Sequence, residues 1–85
     1  MGTEAIIASS IKPQLIKALG RQIANSLLTQ GTLAYVSTDG SEKERFEAFI
    51  NSICSDERLI SVWGEKIAAG QAEEWKALAG SLFNE

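Results

Sequence analysis

Ser9-Ser10-Ile11-Lys12 matches Ser-x-x-Lys, the spacing that in acylating enzymes pairs a serine nucleophile with a lysine. The companion Ser-Asp-Asn and Lys-Thr-Gly elements are absent, and 85 residues cannot build that kind of enzyme, so Ser10 reads as a helix N-cap. The carboxylates Asp56/Glu57 and Glu73/Glu74 come as adjacent pairs. Neighbours on a helix point ~100° apart, so neither pair converges on a substrate. Both are expected in first helical turns, where the helix dipole favours negative charge. Asp39-Gly40 fails as a calcium loop: with Gly40 as the turn glycine, Tyr35 and Phe46 fall where acidic ligands are required. The chain has no histidine and one cysteine, which excludes a Cys/His zinc site, a disulfide framework and histidine acid–base chemistry. Cys54 continues an apolar stripe and precedes Asp56 and Glu57, a setting for a small buried hydrophobe rather than a thiolate. No enzyme, cofactor or metal site is expected.

Ser41 is a different case. It follows Asp39-Gly40 at a helix start in a small acidic helical chain, and this placement resembles the modified serine of acyl carrier proteins. The carriers' Asp-Ser-Leu is missing, with Glu42 where the leucine belongs. The resemblance implies a carrier-like domain modified at Ser41 as one alternative function.

Charge is uneven along the chain. Residues 1–30 carry Glu4 against Lys12, Lys17 and Arg21, a net +2, whereas 31–85 carry ten acids against five bases, a net -5. Lys12, Lys17 and Arg21 are therefore candidates for a partner-facing surface, and a weak nucleic-acid-binding or transcription-regulating domain using that face is a second alternative. Tyr35 and Phe83 lie where the apolar pattern is weakest and are candidate partner contacts if exposed, while Trp63 and Trp75 are expected in the core.

The elements that must position these residues are helical. Ser41 with Glu44 forms a capping box for residues 41–54, where Phe46, Phe49, Ile50 and Ile53 repeat at i, i+3, i+4, i+7. Residues 13–29 make a second helix, with Pro13 in its first turn, Ile16, Leu19, Ile23 and Leu27 in its stripe and Gly31 as its stop. A short helix over residues 4–11 precedes it and kinks near Pro13. Ser55 is expected to open a helix striped by Leu59, Ile60, Trp63 and Ile67 and ended by Gly70. A last helix over 71–83 carries Trp75, Leu78, Ala79 and Leu82. Residues 32–38 look like a strand in isolation, but nothing else in the chain reads as β. They are taken as an extended connector or an extra helical turn, the sharper alternative being a strand that pairs with its copy in a dimer. Gly20, Gly64 and Gly80 fall inside expected helices, which suggests close helix crossings or, at Gly64 and Gly80, helix ends. No internal repeat at a solenoid period is evident.

Length and composition complete the frame. At 85 residues and 45 % apolar types the chain is one globular domain of marginal stability. The expected fold is all-α, an orthogonal or up-down bundle of four to five short helices with a radius of gyration of ~12 Å. The acidic start and the lack of a long apolar run argue against a signal peptide or membrane span, and an unpaired cysteine suits the cytoplasm. The expected role is a small non-enzymatic protein–protein interaction or regulatory module, able to self-associate. Its partner is another protein or a second copy, with no membrane or metal and nucleic acid disfavoured.

Overall fold

Residues 7–83 are described in a computed structural model, and helices account for nearly all of them. A π-helical turn, Ile7–Ile11, runs directly into α1 (Lys12–Leu19). There follow α2 (Arg21–Ser37), α3 (Glu42–Cys54), α4 (Glu57–Trp63) and α5 (Glu65–Phe83). The all-α bundle expected from the sequence is the fold found, and its radius of gyration is 12.0 Å.

Local chemistry explains the clearest boundary. At the start of α3 the Glu44 N–H donates to Ser41 Oγ at 3.2 Å and the Ser41 N–H donates to Glu44 Oε1 at 2.8 Å, a reciprocal cap. A Cβ at Gly40 would meet the returning Glu44 carboxylate, which would have to move aside and loosen the cap. At α4 the cap is Asp56, not the expected Ser55: Asp56 Oδ1 accepts from the Arg58 N–H at 2.8 Å. Ser10 caps nothing, since it lies in the π-helical turn and Ile11 after it is itself helical (φ -85°, ψ -53°).

The glycines divide the chain differently from the expectation. Gly20 and Gly64 have φ of 88° and 86° with ψ of 161° and 156°, a region that only glycine occupies at low cost. Each closes one helix and opens the next. The Gly20 N–H donates to Ile16 O at 2.8 Å while its carbonyl accepts from Ala24 at 3.0 Å, and Gly64 does the same with Ile60 at 2.7 Å and Ala68 at 3.0 Å. Gly20 therefore ends a helix rather than sitting inside one. Gly31 and Gly70 stop nothing, because α2 and α5 run through them. The close crossing expected at Gly20, Gly64 or Gly80 occurs instead at buried Gly31, where a Cβ would lie 2.9 Å from the Phe49 ring and 3.2 Å from Ile53.

These breaks shift the apolar stripes. Downstream of Gly20 the buried line is Ala24, Leu27 and Gly31, and Ile23 turns outward. Downstream of Gly64 it is Ala68, Ala72 and Trp75, leaving Ile67 and Leu78 exposed against expectation. Glu73 and Glu74 lie in the middle of α5, not in a first turn. Residues 32–37 are the last turns of α2, which removes the strand-pairing alternative.

The two glycine joints also expose a duplication that no short motif reveals. Leu15, Ile16, Gly20, Ile23 and Ala24 recur as Leu59, Ile60, Gly64, Ile67 and Ala68. The environments match as well: both leucines and both alanines are buried, and both downstream isoleucines are exposed. The molecule thus holds two helix–glycine–helix units, α1–α2 and α4–α5. Helix α3 packs between the long arms α2 and α5, while α1 packs on α4. The core gathers Ile11, Leu15, Leu27, Phe46, Phe49, Ile50, Ile53, Leu59 and Trp75.

Candidate functional site: the outer face of α2

Helix α2 is amphipathic and carries no charge after its first residue, Arg21. Ala24, Leu27 and Gly31 face the core, and the opposite line is Gln22, Asn25, Thr29, Leu33 and Val36, spaced by three or four residues, with Ser26 beside it and all exposed. Leu33 is 61 % and Val36 63 % exposed, which makes them the most open large apolar side chains described. No charged residue intervenes between Arg21 and Asp39. The exposed sides of α3 and α5 differ, carrying Glu42, Lys43, Glu44, Glu65, Lys66, Glu73 and Glu74.

One edge of the face is fastened to α4. Arg58 Nε donates to Asp56 Oδ1 at 3.0 Å, and its Nη atoms reach Ser26 Oγ at 3.4 Å and Gln30 Oε1 at 3.5 Å. Gln30 Nε2 in turn donates to Asp56 Oδ2 at 3.1 Å. The side-chain hydrogen bond from Arg58 holds the Asp56 carboxyl down at about 2, against a smaller opposing effect of burial. This is the only ion pair among the described residues.

The residues singled out in the sequence are placed apart. Lys12 and Lys17 are exposed on α1 and Arg21 is exposed beyond the Gly20 joint, with no hydrogen bond or ion pair joining them. Tyr35 is half-buried against the core, and its hydroxyl donates to Glu42 Oε2, tying α2 to α3. Phe83 ends α5, and its side chain lies outside the described residues. Ser41 is exposed with its Oγ in the helix cap. Trp75 is buried as expected, and the half-buried Trp63 meets it at a ring distance of 6.1 Å and an angle of 52°.

Among the described residues, one hollow of about 540 Å³ lies between Ser10, Pro13 and Gln14 on one side and Gln71, Trp75 and Leu78 of α5 on the other. Among the described residues that line it, Glu74 is the carboxylate, and it accepts from Gln71 Nε2 at 3.4 Å. Another, about 400 Å³, is lined by Asn51, Cys54, Ala72, Glu73 and Lys76. Burial pushes the Cys54 thiol up to about 11, outweighing the nearby Lys76 ammonium, so at neutral pH it is a protonated, poorly nucleophilic group. No group of three or more metal-ligating side chains occurs among the described residues.

Leu33 and Val36 escape the sequence reading because residues 32–38 are left open there between a connector and an extra helical turn, separated from the helix before Gly31. No continuous face is therefore assigned; the helical option is the one found. The usable signal was the charge gap between Arg21 and Asp39. No protein-family model, curated protein or solved structure matches the chain. Among the described residues no helix is long and apolar enough to cross a membrane.

Proposed function

We propose that this protein is a small non-enzymatic interaction module of the cytoplasm that presents the outer face of α2 to another protein. The observation that carries the reading is the pairing of open Leu33 and Val36 with a helix surface free of charge. Protein interface centres are depleted in charged side chains, while ordinary solvated helix faces are rich in them. Arg58 supports the same face by locking Ser26 and Gln30, so a partner would meet a pre-organised edge. The unpaired, protonated Cys54 suits a reducing compartment.

Capture from the native cell with wild type and with Leu33→Glu, both checked for helicity, tests the reading. Proteins held by wild type and released by the variant are the expected result; identical retention overturns it. The nucleic-acid alternative has the exposure of Lys12, Lys17 and Arg21 in its favour. It predicts salt-dependent retention on DNA that Lys17→Glu weakens. The carrier alternative predicts a discrete added mass at Ser41 in protein taken from its native cell.

A further inference from the structure

We infer that the partner of α2 is the α2 of a second copy, laid antiparallel about a two-fold axis passing near Thr29. This rests on the interaction reading above and names its occupant. A two-fold contact sets one face against itself, so every charge on the face meets its own kind or must find an opposite at the mirrored position. The faces of α3 and α5 are crowded with glutamates and lysines, whereas the face of α2 carries neither. The charge at its edge, Arg58 on Ser26, is already matched by Asp56, so this long helix surface can meet itself with little repulsion.

The ends of α2 decide the direction. Arg21 begins the helix and Asp39 follows its end; both are exposed, and neither takes an ion pair among the described residues. Parallel packing would place Arg21 on Arg21 and Asp39 on Asp39, with the two helix dipoles aligned. Antiparallel packing places each Arg21 beside the partner's Asp39 and the partner's last helical carbonyls, where a cation is favoured, and does so twice by symmetry. With Thr29 at the axis, Leu33 lies over the partner's Asn25 and Val36 over the partner's Gln22, so the large apolar side chains of one half cover the smaller or more flexible side chains of the other. Ser26 and Thr29 in the middle are small enough to let the helices approach. A 17-residue helix spans ~25 Å, so a single helix pair falls at the low end of interface sizes.

Sedimentation of the purified full chain over a range of about 1–500 µM tests this, with a reversible monomer–dimer equilibrium expected within it, as befits a weak contact at the low end of interface sizes. Leu33→Glu and Val36→Glu, both at exposed positions, each weaken it at least ~10-fold with circular dichroism unchanged. Arg21→Glu weakens it less, and Arg21→Glu combined with Asp39→Lys restores it. A chain that stays monomeric throughout the range overturns the second-copy partner. If Leu33→Glu still releases captured proteins in that case, the interaction reading survives. A dimer indifferent to Leu33→Glu places the contact elsewhere and overturns the inference. A dimer sensitive to Leu33→Glu but not rescued by the charge exchange overturns the antiparallel direction.

Discussion

The units α1–Gly20–α2 and α4–Gly64–α5 are built alike inside and differ outside. Each has a buried leucine before a left-handed glycine and a buried alanine one turn after it. Both expose an isoleucine one turn after the joint, but their charge differs: α2 has none after Arg21, and α5 is studded with Glu65, Lys66, Glu73 and Glu74. They also diverge at one inner position. Gly31 of α2 and Trp75 of α5 stand at corresponding places in the two units, so the smallest side chain meets α3 in one and the largest fills the core in the other. Joint geometry is demanded by the backbone and is therefore shared. Surface chemistry is free of that demand, so the difference there points to use rather than to folding.

The sharpest break of the comparison is at its asymmetric inner position. Trp75→Ala should cost ~3–5 kcal/mol, enough to leave a domain this small largely unfolded, read as lost helicity at 25 °C. Next come the joints. Gly20→Ala and Gly64→Ala each force a Cβ into the same disfavoured backbone region and should cost ~1–3 kcal/mol apiece. Nothing crowds either site, so denaturant midpoints should fall by similar amounts; a large inequality would end the idea of equivalent joints. Gly31→Ala is smaller. Overpacking against Phe49 costs ~1–3 kcal/mol, and the better helix propensity of alanine returns about 1 kcal/mol. A net loss of about 1 kcal/mol is expected, visible as a small drop in Tm.

The smallest effect is the α4–α2 tie. Asp56 sits at about 2 when folded against 3.8 for a free aspartate, so the folded state prefers it ionised. That contribution is complete above pH 3.8, shrinks as pH falls toward about 2, and vanishes below. Arg58 is substantially exposed, so less than about 1 kcal/mol is at stake. Asp56→Asn should flatten the acid limb of a stability–pH curve while leaving α5 untouched.

What could be read from the residues tracks what is local. Helix α3 is legible to its first residue because the Ser41–Glu44 box and the Phe46–Ile53 stripe are both short-range. Gly20, Gly31, Gly64 and Gly70 are not, because glycine alone does not say whether the chain turns or a neighbour comes close. That choice is made by φ at Gly20 and Gly64 and by Phe49 and Ile53 at Gly31. The consequences spread along each helix. A helix continued through Gly20 keeps Ile23 on the inner stripe. A stripe continued past Gly64 keeps Ile67 there, although a helix end at Gly64 is one of the two readings the sequence allows. A stop at Gly31 hides the face that ends in Leu33 and Val36. Lys12, Lys17 and Arg21 are exposed as charge alone dictates, while Tyr35 is tied to Glu42, a helix-to-helix contact that no periodicity encodes.

The Trp63–Trp75 pair straddles the Gly64 joint, one indole from each arm. Two chromophores this near share their excited states. Coupling between two indoles at this distance and angle depends on their mutual orientation, so a tryptophan couplet in the circular dichroism spectrum is expected to change whenever the joint bends, without any added label.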